Sequence, residues 1–241
     1  SKEMEEMRNG YATGALNSRG AHMVDPTGKP EKELAKHYRV ICIDLLGHGK
    51  TECLGYIHTM EDMADAVHEV VKHLHLKRIV LAGHSMGGYV ALELKKQHRG
   101  CQKVVLLNSN FWEDDAQKKI DRARVAELVK SAKEKFIREA IPNLFLKPGN
   151  YSSTVQKLIV EASQIDADAI AFSSLAMGDR SDNKQVLEEK ANDFLIIQGK
   201  EDAVIPYDKM KQELSGISVK IEVLSPCGHM AHIEQTEKIL G

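Results

Sequence analysis

Three residues could together activate a hydroxyl group: Ser85, His229 and Asp202. A serine oxygen is a poor nucleophile until a base takes its proton. Imidazole serves as that base when a carboxylate fixes its tautomer and steadies the cation that forms. Ser85 lies in Gly83-His84-Ser85-Met86-Gly87-Gly88, directly after the strand-like run Ile79-Val80-Leu81-Ala82 and before a run that favours helix. Glycines on either side of the serine let strand and helix approach closely, so the serine can take a strained, exposed backbone conformation. The Met86 N–H, at the start of the expected helix, is placed to donate to an oxyanion, and no second donor is identified.

The pentapeptide G-x-S-x-G alone arises often by chance. Its weight comes from the strand before it, the helix after it and the partners that follow in order. Asp202 ends Leu195-Ile196-Ile197-Gln198-Gly199-Lys200-Glu201-Asp202, and His229 ends Val223-Leu224-Ser225-Pro226-Cys227-Gly228-His229. Each sits just past an apolar run, where the carboxyl ends of parallel strands converge on one rim of a sheet. Competing assignments stay open: His232 or His84 as base, Glu201 or the Asp114-Asp115 pair as acid, and a buried turn serine with no chemistry.

The elements that must position these residues alternate. Strand-like runs fall at Arg39 to Ile43, Arg78 to Ala82, Lys103 to Leu107, Phe194 to Gln198 and Val219 to Leu224, with helical patterns between them. That alternation predicts an α/β fold, a mostly parallel sheet flanked by helices. Thr59 followed by Asp62 reads as a capping box opening a helix through Leu74, and Gly100 as the terminator of the helix after Ser85. From 113 to 191 the spacing is helical throughout: Ile120, Ala123, Val125, Leu128, Val129, Ala132 and Phe136, then Val155 to Ala162, then Ile170 to Leu175. This stretch predicts a helical cap inserted between two halves of the sheet domain, 1–112 and 192–241. Trp112, Phe136, Ile137, Ile141, Phe145, Phe172 and Met177 are its candidates for a substrate pocket, although packing between cap and core would use the same side chains.

With these motifs in view, the chain resembles the α/β-hydrolase superfamily, in its cap-bearing carboxylesterase and lactonase-like branch. The resemblance rests on the order Ser, Asp, His, on Gly83 to Gly88, on Asp44-Leu45-Leu46-Gly47-His48-Gly49-Lys50-Thr51, on Gly199 to Asp202 and on Gly228-His229-Met230-Ala231-His232-Ile233-Glu234. It covers roughly Leu34 to the carboxyl terminus. It implies a triad of Ser85, Asp202 and His229, with Asp44, Gly47 and His48 shaping a neighbouring loop. The family usually opens with strands, the last ending in His-Gly, whose following N–H is the first oxyanion donor. Residues Ser1 to Pro30 show no such strand; by spacing, Arg19-Gly20 falls where His-Gly would lie. Ser18 to Met23 looks like a protease-site and cloning junction, so residues 1–33 are read as atypical, either diverged or in part vector-derived.

Bulk properties narrow the function classes. The chain has 241 residues, 42% of them hydrophobic, and 33 basic against 35 acidic residues give a formal net charge of −2. That balance leaves no basic footprint for nucleic acid or an anionic membrane surface. The N-terminal residues lack the apolar run of a secretory signal, and no segment reaches the length of a membrane span. Four cysteines, Cys42, Cys53, Cys101 and Cys227, without C-x-x-C spacing, read as reduced thiols and a cytoplasmic setting. No metal or cofactor is expected: the histidines lack metal-ligand spacing, and no G-x-G-x-x-G opens a helix. The expected function is hydrolysis of a small or medium carboxylic ester or a lactone through an acyl-enzyme. The alternative is a non-catalytic ligand-binding protein on the same fold. A serine at position 85 argues against chemistry that needs a carboxylate nucleophile. Carbon–carbon hydrolysis and thioester cleavage use the same triad and stay open, as does oligomeric state.

Overall fold

The computed structural model describes residues 29–240, together with the backbone of 12–17. Strands rich in Val, Ile and Leu need cover on both faces when all of them run parallel. Here β1 (Ala12–Asn17), β2 (Arg39–Asp44), β3 (Ile79–His84), β4 (Cys101–Leu107), β5 (Phe194–Gly199) and β6 (Lys220–Leu224) form one parallel sheet in the order β2-β1-β3-β4-β5-β6. β3 is buried along almost its whole length, whereas β2 and β6, at the edges, are exposed or half-buried apart from Leu224.

The first strand corrects the sequence reading, which found none before Pro30. Its sequence, Ala-Thr-Gly-Ala-Leu-Asn, carries one large apolar residue, so neither β-propensity nor alternation marks it. Backbone pairing on both sides makes it a strand: Ala12 to Asn17 align with Arg39 to Asp44, and Ala12 to Leu16 with Ile79 to Gly83. Arg19-Gly20 and the Ser18 to Met23 junction lie outside the described residues.

Helices α1 (Lys29–Leu34), α2 (Met60–His73) and α3 (Met86–Gln97) connect the first strands. Thr59 caps α2 through the Asp62 N–H while the Asp62 carboxylate accepts the Thr59 N–H, the reciprocal pair read from the sequence. Met63, Ala64, Val67 and Val71 of α2 pack with Val90, Ala91, Leu92 and Leu94 of α3 in the main core. Gly100 has a different role from the one expected. Helix α3 has ended by His98, and a Cβ at Gly100 would stand 2.1 Å from the Lys77 carbonyl oxygen, so close approach to the start of β3 demands the glycine.

Between β4 and β5 lie α4 (Ala116–Ala140), α5 (Ser152–Ser163), α6 (Ala167–Asp179) and α7 (Lys184–Glu189). Among the described residues no strand interrupts them. In α4 the buried residues are Ala126, Val129 and Ile137, while Ile120 and Leu128 face solvent. The expected stripe is therefore only partly right: Val125, Val129, Ala132 and Phe136 lie on or beside the inward face with Ala126 and Ile137, and non-helical backbone at Ala132 (φ −137°) kinks the helix along it. The insert has its own apolar cluster of Ile137, Ile141, Phe145, Val155, Leu158, Ile159, Ala162, Ile165 and Ala169, and Met230 from the far end of the chain joins it. Helices α8 (Tyr207–Glu213), α9 (Ala231–Glu234) and α10 (Thr236–Leu240) complete the chain. Among the described residues no helix is long and apolar enough to cross a membrane.

Candidate active site

The strand order reverses between β1 and β3, because the chain leaves β1 toward β2 and leaves β3 toward β4. A crevice opens at such a switch point, at the carboxyl ends of the strands. Ser85 follows β3 there, at φ 50° and ψ −119°, a left-handed conformation that costs a non-glycine residue about 1–3 kcal/mol. The surroundings hold it in place. The Ser85 N–H donates to the Leu107 carbonyl (3.1 Å), and the Ser85 carbonyl accepts from the Gly88 N–H (3.0 Å) and the Ser109 hydroxyl (2.7 Å). A Cβ at Gly83 would lie 2.4 Å from the Gly87 carbonyl, and one at Gly88 2.2 Å from Ser109 Oγ. Two glycines are thus required by contact as the chain turns from β3 into α3. Met86 opens α3, and an N–H in a first helical turn has no partner within its own helix.

His229 and Asp202 meet Ser85 from the loops after β6 and β5. Ser85 Oγ lies 3.0 Å from His229 Nε2, and His229 Nδ1 lies 2.8 Å from Asp202 Oδ2. An ionised carboxylate only accepts hydrogen bonds, so Nδ1 carries the ring proton and Nε2 presents a lone pair to the serine hydroxyl. Asp202 is saturated with donors. Oδ1 accepts the Val204 (2.8 Å) and Ile205 (3.0 Å) N–H groups, and Oδ2 also accepts from Asn108 Nδ2 (3.0 Å) and, more weakly, Gln198 Nε2 (3.4 Å). Burial works against its ionisation and is the largest single influence. The charge and hydrogen bond of His229, with the bonds from Ile205 and Asn108, outweigh it and hold the carboxyl below the usual aspartate range.

The competing residues have other positions. Glu201 is exposed; it accepts from the Ser225 hydroxyl (2.7 Å) and the Cys227 N–H (2.8 Å), and those bonds offset its slight burial to keep it below the ordinary glutamate range. Asp114 pairs with Arg122 and Arg180, and Asp115 caps α4. His84 donates from Nε2 to the His229 carbonyl (2.8 Å), and the His232 ring packs 4.6 Å from the His84 ring. Gly47 takes φ 77°, and the Asp44 carboxylate fills the space where a Gly49 side chain would stand. His48 hydrogen-bonds the Leu46 carbonyl through Nδ1 (2.9 Å), and burial pushes its pKa down, which keeps the ring neutral beside Ser173 of α6.

Of the apolar candidates, Ile137, Ile141 and Phe145 are buried within the cluster of the insert, and Trp112 within the main core. Phe136, Phe172 and Met177 keep partial exposure. None of the four cysteines forms a disulfide. Among the described residues no group of three or more His, Cys, Asp or Glu is arranged to hold a metal ion. Asn108 joins the site without being among the candidates the sequence offers, although a polar residue directly after the apolar run Val104-Val105-Leu106-Leu107 is the same kind of signal that Asp202 gives.

A family model for the alpha/beta hydrolase family matches residues 20–240, and the chain belongs to that family. It is 29% identical over 220 residues to the AB hydrolase superfamily protein YisY of Bacillus subtilis, covering 86% of this chain and 81% of that protein. It is 28% identical over 196 residues to the putative carbamate hydrolase RutD of Agrobacterium fabrum, covering 76% of this chain and 72% of that protein. Among solved structures, a thermophilic esterase from Thermogutta terrifontis superposes with a TM-score of 0.85 at 29% identity, covering 96% of this chain and 88% of that one.

Proposed function

We propose that this hydrolase cleaves small or medium carboxylic esters or lactones through an acyl-enzyme on Ser85. The observation that carries the reading is the unbroken hydrogen-bonded line from Ser85 Oγ through His229 to Asp202. His229 Nε2 takes the hydroxyl proton as Ser85 attacks the carbonyl carbon, and Asp202 stabilises the imidazolium that results. The Met86 N–H faces the developing oxyanion, and the leaving alcohol collects the proton from His229. Water then repeats the cycle on the acyl-enzyme, releasing the acid. The helices of 113–191 act as the cap, and Phe136, Phe172 and Met177 are its side chains proposed to meet the acyl or alcohol group. The esterase from Thermogutta terrifontis supports an ester as substrate, and the relative described as a putative carbamate hydrolase makes a carbamate the second substrate to try. A purely ligand-binding role would leave the aligned base without a purpose.

The test is labelling by a fluorophosphonate probe together with turnover of short p-nitrophenyl esters, a lactone and a carbamate. The expected result is one labelled residue, Ser85, and loss of both labelling and turnover in Ser85→Ala. Turnover that survives Ser85→Ala would overturn the proposal.

A further inference from the structure

The loop that carries His229 is not held by the sheet alone. It leaves β6 through Ser225-Pro226-Cys227, and the three N–H groups around the imidazole are then claimed by Glu234 of α9 and by Leu144 of the helical insert. The Gly228 and Met230 N–H groups donate to one oxygen of Glu234 (3.1 and 3.2 Å), and the His229 N–H donates to the Leu144 carbonyl (2.9 Å). The other Glu234 oxygen accepts the Leu146 N–H at 3.1 Å. One carboxylate therefore brackets the peptide on both sides of His229 and joins it to residues 144–146.

Packing repeats the same connection. The Met230 side chain is fully buried in the apolar cluster of the insert, beside Ile141 and Phe145. A Cβ at Gly228 would stand 2.7 Å from Leu146 N, 3.0 Å from Glu234 Oε1 and 3.1 Å from the Leu144 oxygen, so the two segments are as close as a glycine allows. The bond from Met230 spans one turn of a short helix and would serve as a local cap. Those from Gly228 and Leu146 have no such local purpose.

We propose that Glu234 is a positioning residue for His229, fixing the loop of the base to the 144–146 segment so that Nε2 stays aligned with Ser85 Oγ. The inference rests on the triad reading above. Proton transfer needs that alignment within a fraction of an ångström, and loosening the support of a catalytic group commonly costs about 100-fold in rate.

Glu234→Gln keeps the size of the side chain but must present an NH2 group to at least one of these N–H donors. The expected result with p-nitrophenyl acetate is a fall in kcat and in fluorophosphonate labelling rate of about 10- to 100-fold. KM should stay within about twofold of wild type, because substrate contacts are untouched, and amide exchange at Leu146 and Gly228 should accelerate. Wild-type kcat in folded Glu234→Gln, or a rise in KM alone, overturns the proposal. If Ser85→Ala is inactive in the same assay, that failure concerns Glu234 and not the triad; if Ser85→Ala is active, the triad reading itself has failed. Should Glu234→Gln not fold, Gly228→Ala, which forces the two segments apart, should show the same loss of kcat. A normal kcat in that variant, or failure of both variants to fold, also overturns the positioning role.

Discussion

Replacing Asp202 with asparagine perturbs one atom of the candidate site, and the hydrogen bonds around it dictate the result. Two backbone N–H groups, of Val204 and Ile205, donate to Oδ1. An asparagine that turned its NH2 toward them would lose both bonds, so the amide oxygen takes that side. The NH2 then replaces Oδ2, where His229 Nδ1, Asn108 Nδ2 and Gln198 Nε2 all present donors. To keep a bond, the imidazole must accept at Nδ1 and carry its proton on Nε2, which points at Ser85 Oγ and can no longer receive a proton from it. Where a Ser–His–Asp triad has been altered in this way, turnover falls about 10⁴-fold, which is about 5.5 kcal/mol of barrier. The Asn108 amide also loses an acceptor inside the protein, at about 1–3 kcal/mol of stability. The assay is kcat/KM for p-nitrophenyl acetate beside a urea melt, with Ser85→Ala as the floor. A folded Asp202→Asn enzyme within tenfold of wild type would refute the reasoning, since a base that needs no fixed tautomer does not need Asp202.

The same carboxylate makes a prediction about pH. Its folded pKa lies below the unfolded value near 3.9. Its contribution is therefore present above about pH 4 and lost as pH falls through the lower folded value, so the stability gap between wild type and Asp202→Asn should narrow in acid urea melts. Gly88→Ala puts a methyl group onto Ser109 and should destabilise by about 1–3 kcal/mol, seen as a lower urea midpoint at unchanged slope. Burial pushes the thiols of Cys101 and Cys227 up to about 12, so a thiol reagent at pH 8 should reach exposed Cys42 first and these two only after unfolding.

The parts of the fold that depend on side-chain pattern were legible in the sequence. β2 to β6, the Thr59 cap and the three polar residues after β3, β5 and β6 each announce themselves through apolar runs or turn residues. The parts that depend on partners were not. β1 is a strand because β2 and β3 lie on either side of it, and six residues with one large apolar side chain cannot show that. The kink in α4 at Ala132 has no proline or glycine to mark it, and exposed Ile120 and Leu128 carry the same apolar side chains as its buried face. Asn108 stands beside Asp202 only because β4 and β5 are neighbours in the sheet. Glu234 was visible within its motif, but its grip on Leu146 joins positions 88 residues apart.

β1 also bears on how this protein can be trimmed. Its sequence invites removal as a dispensable leader, yet the strand is interior to the sheet and paired on both flanks. Deleting it would not shorten the sheet from one end; it would open a slot beside β3, strip the N–H and C=O partners from one side of the strand that delivers Ser85, and leave β2 with no strand to pair with.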